Sequence, residues 1–135
     1  MTYLLDTNSW VDHFRRGPNS KVTAKLISLP QGSVFLCSVV LGELLDGANR
    51  SGPNHQANNF ALIATVRQRF ASLPFDDLAA EEYGKARAHL AKVGTPIGPN
   101  DLLIASIGLA TGAAVVTHNT LEFSRVPGLN VEDWQ

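Results

Sequence analysis

Only one cysteine, Cys37, occurs in the 135 residues. That excludes an intramolecular disulfide and any zinc site built on cysteine pairs, and Cys37 reads as a small core residue. No apolar run approaches the roughly 18 residues that a membrane span needs, and no basic leader precedes a long apolar stretch at the amino terminus. The expectation is a cytoplasmic protein without membrane contact. His13, His55, His89 and His118 are scattered and lack the spaced pairs of a zinc site, so none is assigned as a ligand. A phosphate-cradling glycine loop, a serine nucleophile elbow and a catalytic Cys and His pairing are also missing. So are internal repeats and low-complexity tracts. Nor is there an excess of positive charge: 11 Lys and Arg face 12 Asp and Glu, which weighs mildly against a generic nucleic-acid binder.

What the chain has is a 44% hydrophobic composition, enough for one domain with a single core over residues 1–135. It also has four segments in which an acid or amide sits at the end of an apolar run or at the mouth of an apolar helix. They are Leu4-Leu5-Asp6-Thr7-Asn8, Val39-Val40-Leu41-Gly42-Glu43, Pro99-Asn100-Asp101-Leu102-Leu103 and Val115-Val116-Thr117-His118-Asn119. Carboxylates in apolar surroundings are costly unless a cation or donor compensates them. A divalent ion is the simplest compensation. Setting Asp6, Glu43, Asp101 and Glu122 aside as a candidate cluster leaves eleven bases against eight acids, a surface of net +3. Arg15, Arg16, Lys21 and Lys25 lie close together, and Arg67 and Arg69 form a second pair; taken singly, each fits a solvated helix face.

The hydrophobic rhythm gives the organisation. Tyr3 to Asp6 reads as a buried strand running directly into a helix over Asn8 to Arg16, with Trp10, Val11 and Phe14 on one side. Gly17-Pro18-Asn19 breaks it, and Val22, Leu26 and Leu29 mark a second helix that ends at Pro30-Gln31-Gly32. Val34 to Cys37 is a strand, with Ser38 as the expected N-cap of a helix to about Ala48. Asn54 to Leu73 reads as one amphipathic helix carrying Ile63, Val66, Phe70 and Leu73, followed by a short strand at Pro74-Phe75-Asp76. Ala79 to Val93 is a helix closed by Gly94. Leu102 to Ala110 is a buried central helix, Ala113 to Thr117 a third firm strand, and Leu129-Asn130-Val131 a final extended segment. Short apolar strands alternating with helices predict an α/β fold with a mostly parallel sheet covered on both faces. Such sheets place ligands at the carboxyl ends of their strands, where Asp6, Glu43, Asp101 and Asn119 can all meet.

For Asp6 and Asp101 the plainer reading is a helix cap, in keeping with Asp at a helix start and with the preceding Pro99 and Asn100. Glu43 discriminates better. It lies too deep in its helix to cap and is flanked by Val39, Val40, Leu41, Leu44 and Leu45. Asn119 fits either a site residue or the cap of the turn Leu121 to Phe123, and Glu122 fits either a last contact or an exposed acid. Mg²⁺ and Mn²⁺ take hard oxygen ligands from separate strands and need no local motif. On that reading Asp6 and Asp101 are direct ligands. Glu43 binds directly or through water, or orients the nucleophile, while Thr7, Ser38 and Thr117 hydrogen-bond the acids.

The whole chain resembles the PIN-domain family, and within it the VapC toxins of bacterial toxin–antitoxin pairs. The resemblance rests on Leu5-Asp6-Thr7-Asn8, on Ser38 with Glu43 five residues on, on Pro99-Asn100-Asp101-Leu102-Leu103-Ile104-Ala105, and on Val116-Thr117-His118-Asn119 followed by Glu122-Phe123 and Val126-Pro127-Gly128-Leu129. It implies a three-layer PIN-like sandwich and a Mg²⁺- or Mn²⁺-dependent endoribonuclease with Asp6, Glu43 and Asp101 as acidic triad. It also implies a cognate antitoxin that blocks the site, and self-association as a homodimer. The last segment is most similar to VapC enzymes that cut initiator tRNA, so tRNA is the implied substrate. Many relatives carry Asp where this chain has Asn119, which leaves Asn119, Glu122 or a water to make the last contact.

Two other classes stay in view. A catalytically silent module that binds RNA or a protein through the same fold is kept alive by Asn119, and a metal titration separates it from the nuclease. A haloacid-dehalogenase-like phosphatase would need a second Asp two residues after Asp6, where Asn8 stands. Trp10, Phe14, Val22 and Leu26 fit either the core or a groove for an antitoxin peptide.

Overall fold

The computed structural model describes all residues from Met1 to Gln135. Five short strands form one sheet: β1 Tyr3–Leu5, β2 Val34–Cys37, β3 Ser72–Leu73, β4 Ala114–Val116 and β5 Val131–Glu132, in the order β3-β2-β1-β4-β5. Every pairing is parallel, so the sheet is wholly rather than mostly parallel. Seven helices flank it: α1 Thr7–Arg16, α2 Lys21–Ser28, α3 Ser38–Arg50, α4 Pro53–Arg69, α5 Asp77–Val93, α6 Pro99–Thr111 and α7 Thr120–Phe123. No helix is long and apolar enough to cross a membrane.

The central strands have no solvated face. Leu4, Leu5, Val115 and Val116 are all fully buried, which is why their segments read as continuous apolar runs rather than alternating ones. The buried helix expected from the sequence is α6, with Leu102, Ile104, Ala105, Ser106, Ile107 and Gly108 inside. It approaches β4 closely: a Cβ at Gly108 would stand 2.9 Å from Val115 Cγ2 and 3.2 Å from Leu129 Cδ1. Only glycine fits there without displacing the strand.

Several boundaries differ from expectation. Ser38 is the first helical residue of α3, and the cap is Cys37, whose Sγ accepts weakly from Val40 N at 3.5 Å. The strand expected at Pro74–Asp76 lies earlier, at Ser72–Leu73, so Leu73 belongs to the sheet and α4 ends at Arg69. Pro74 has no N–H to continue the ladder, and the Asp76 side chain is already committed to Ala79 N at 3.0 Å as the cap of α5. The final extended segment begins its pairing at Val131 rather than Leu129. Trp10 and Val22 are fully buried, which settles them as core. Phe14 instead lines a cleft of about 290 Å³ between α1, α3 and α4.

The strand order sets the position of the site. From β1 the chain moves to β2 on one side, whereas β4 leads to β5 on the other. The crevice outside the carboxyl ends of β1 and β4 is therefore a topological switch point. Both α1 and α3 start at that end, and α6 also opens there because its far end feeds β4.

Candidate active site

Asp6 is the first residue past β1. Its backbone N–H donates to Val116 O at 3.0 Å, which ties the ends of β1 and β4 together. Its Oδ1 accepts from Ser9 N at 2.9 Å, so it does cap α1. That role uses one oxygen; Oδ2 has no hydrogen bond within the chain. Cap and site residue are thus compatible readings of one carboxylate.

Glu43 sits in the second turn of α3, one helical turn beyond the mouth. Thr7 Oγ1 donates to its Oε1 at 2.6 Å and Asn100 Nδ2 to its Oε2 at 3.4 Å. Side chains from two other helices, α1 and α6, thereby converge on Glu43. From the sequence, Asn100 read only as part of a helix start and Ser9 had no role assigned; the structure makes them donors to Glu43 and Asp6.

Asp101 occupies the first turn of α6, and neither of its oxygens accepts a hydrogen bond. The amino end of a helix ordinarily favours an anion by a fraction of a kcal/mol to about 1 kcal/mol. Here burial, then Glu122, Asp6 and Glu43 in that order, push its carboxyl up to about 6. Burial and like charge outweigh the helix end, and no base is among the groups that act on it. No ion pair in the protein involves Asp6, Glu43, Asp101 or Glu122.

Glu122 is held differently. Gly98 N donates to its Oε1 at 2.6 Å and Asn119 Nδ2 to its Oε2 at 2.8 Å, and these two donors, in that order, lower its carboxyl. Next to it, Arg125 Nη1 donates to Pro96 O at 3.0 Å. The segment from Asn119 to Arg125 therefore grips the loop that leads into α6 and Asp101. Asn119 stands at the N-cap of α7 but makes no side-chain cap; its amide is spent on Glu122. Two supporting residues do not reach a carboxylate. Thr117 is fully buried and its Oγ1 accepts from Asn119 N at 2.9 Å. Ser38 Oγ donates to Leu73 O at 3.3 Å, because the start of α3 lies against β3.

The donors at the switch point are all oxygen, and both oxygens of Asp101 and one of Asp6 lack a hydrogen-bond partner, which suits a hard divalent cation. No three acidic or histidine side chains form a closed ligand cage as they stand. An ion here would have to take one or two direct carboxylates, with water completing its shell. The free oxygens belong to Asp101 and Asp6. Cys37 is buried among core residues, and burial raises its thiol to about 11.

Comparison with known proteins identifies the family. The family model for the PIN domain matches residues 3–129. A protein of Shigella flexneri named tRNA(fMet)-specific endonuclease VapC is 38% identical, over 99% of this chain and 98% of the relative. Ribonuclease VapC2 of Rickettsia felis is 34% identical over the same shares. Among solved structures, VapBC2 from Rickettsia felis bound to a promoter DNA fragment superposes with a TM-score of 0.92 at 33% identity, covering all of both chains. The chain belongs to the PIN-domain family, among its VapC members.

Proposed function

We propose that the protein is a metal-dependent endoribonuclease toxin that hydrolyses RNA phosphodiester bonds and is silenced by a cognate VapB-type antitoxin. The observation that carries this reading is Asp101. Its carboxyl is raised by burial and three neighbouring acids with no donor or base to relieve it, a cost that a bound cation removes. The ion is Mg²⁺, with Mn²⁺ as the alternative, held by Asp6 and Asp101, with Glu43 directly or through water. When bound, it supplies Lewis-acid stabilisation of charge on the phosphoryl oxygens and leaving group, and makes an attacking water more acidic.

The chain's own residues do the rest. Thr7 and Asn100 fix the Glu43 carboxylate so that it is oriented before substrate arrives, leaving it placed to hold or take a proton from water. Ser9 N fixes Asp6. Glu122 and Asn119 secure the Gly98 end of α6 and so the position of Asp101. Such fixed geometry is worth more than proximity alone, since reorganisation is avoided during the reaction.

The substrate we infer is tRNA, with initiator tRNA favoured because a relative is named for that target. The antitoxin reading is supported by solved VapBC assemblies. It also has a receptive surface, the apolar cleft between α1, α3 and α4, which Phe14, Leu44 and Ile63 line and which opens at Thr7 and Glu43. A peptide seated there would meet Glu43. A homodimer acting in the cytoplasm completes the proposal, with light scattering of the purified chain as its check.

The test is incubation of partner-free protein with total RNA, with and without Mg²⁺ or Mn²⁺, beside Asp6→Asn. A discrete fragment that requires both metal and Asp6 is expected, with end-mapping to name the RNA. Equal behaviour of wild type and variant under every metal would refute the enzyme.

A further inference from the structure

The carboxylate cluster has two polar flanks, and they differ in sign. On one side lies a cleft bordered by Thr7, Ser38, Glu43, Asp46 and Asn100. It contains two acids and no base. On the other lies a cleft of about 590 Å³ whose walls include Asn8, Arg15, Arg16, His118 and Asn119. Asn119 joins this second cleft to the cluster through its bond to Glu122 at 2.8 Å, and Asn8 stands in the first turn of the helix that Asp6 caps.

We propose that this basic cleft is a phosphate-binding subsite for single-stranded RNA, so that the strand leaves the carboxylates on the Asn119 side and crosses the end of α1. The inference rests on the ribonuclease reading and adds the path of the substrate. Arg15 is exposed and makes no ion pair or hydrogen bond. Arg16 is held only by Asp12 at 3.8 Å, with 60% of its side chain exposed. Both guanidiniums are thus free to pair with phosphate oxygens in bidentate fashion. His118 is engaged with Asp133 at 3.0 Å and is less available than the arginines, and Asp12 is the one acidic side chain in the wall. Asn8 and Asn119 present amides that hydrogen-bond phosphate or ribose without adding charge. The opposite flank offers a phosphate no cation in its wall: Glu43 and Asp46 line it, and Arg50, which pairs with Asp46 at 3.0 Å, does not.

Direction matters because the chain as a whole is not basic. With a net charge of −1, affinity for RNA has to come from where the cations are placed rather than from their number. Arg15 and Arg16 are the bases of the cleft that Asn119 links to the carboxylates. Arg67, on the last turn of α4, lines neither flank.

The experiment measures binding of a 5′-fluorescein-labelled 12-nucleotide mixed-sequence RNA by anisotropy, in the Asp101→Asn background so that the probe survives. The paired substitution Arg15→Gln with Arg16→Gln, and each of the two singly, are compared with Arg67→Gln, which removes one charge outside both flanks; all three positions are exposed, and a thermal melt checks the fold. The paired variant is expected to weaken binding by about tenfold or more and to reduce the slope of log affinity against log salt by about 1.4, two single-strand phosphate contacts. Arg67→Gln is expected to leave both within twofold of the parent. In cleavage by the otherwise native enzyme, the same paired variant raises KM and leaves kcat nearly unchanged. Equal affinities and slopes for the paired variant and Arg67→Gln overturn the proposal. So does an acidic peptide of matching charge that displaces the RNA and depends on Arg15 and Arg16, which would reassign the cleft to a protein partner. Arginine-dependent RNA binding by a protein that cuts no RNA would sink the ribonuclease reading while leaving the subsite in place.

Discussion

Asp101 and Glu122 face each other across Gly98, whose Cβ, were it present, would lie 3.7 Å from one carboxylate and 3.6 Å from the other. One is raised to about 6 and the other is lowered. The contrast comes from donors rather than depth alone. Glu122 takes an N–H on each oxygen, so its charge is already compensated. Asp101 takes none and adds its charge to a cluster. An acid with satisfied oxygens works as a latch, whereas one with open oxygens is available to a cation.

The largest expected effect breaks the Asp101 side. Asp101→Asn should reduce RNA cleavage by at least about 100-fold, read as kcat/KM, a loss of about 2.7 kcal/mol in transition-state stabilisation. In metal-free buffer the same variant should melt at an unchanged or higher temperature, because repulsion is relieved. A large drop in apo melting temperature would show instead that Asp101 is needed chiefly as part of the helix start.

Cation binding sharpens the contrast next. Mg²⁺ at about 100 times its dissociation constant should stabilise the wild type by roughly 2.7 kcal/mol, seen as a rise in melting temperature. Asp101→Asn should show little of that rise.

Breaking the latch is a smaller perturbation. Glu122→Ala removes the acceptor of Gly98 N and should cost about 1 kcal/mol in denaturant unfolding, with a partial loss of cleavage. Glu122→Gln keeps an acceptor for Gly98 and should recover most of both. If Gln fails as badly as Ala in cleavage while restoring stability, Glu122 is a ligand rather than a latch.

The smallest effect is in pH. Asp101 has its folded value above the ordinary 3.8, so the folded state binds its proton more tightly than the unfolded chain does. Its contribution is therefore fully present below about pH 4 and is lost as pH rises towards 6. Metal-free stability should lose on the order of 1 kcal/mol across that window, the side chain being partly exposed and screened. Excess Mg²⁺ should flatten the trend. Glu122, being lowered, acts in the opposite sense below pH 4.5, so the two are separable by repeating the titration in Glu122→Gln.

Much of this architecture was legible because burial is written in the chain. The β1, β2 and β4 segments are apolar runs closed by polar residues, and β2 falls at Val34–Cys37 as expected. The carboxylates stood out because they interrupt those runs. What could not be read was which donor serves which acid. Thr7 lies next to Asp6 in sequence yet serves Glu43, 36 residues away, and Gly98 reaches Glu122 across 24. Such pairings depend on how loops cross at the switch point, which periodicity does not encode. The strand at Ser72–Leu73 was hidden for another reason: two residues are too few to show alternation, and a helical stripe runs straight into them. Thr117 and Ser38 were near the right place but turn to backbone groups, a choice set by local loop geometry.

The most direct single measurement is Mn²⁺ binding, followed by electron paramagnetic resonance, to wild type, Asp101→Asn and Glu122→Gln. The expected result is saturable binding by wild type and Glu122→Gln and its loss in Asp101→Asn. Undiminished binding by Asp101→Asn, or loss confined to Glu122→Gln, would contradict the division of roles between the open carboxylate and the latched one.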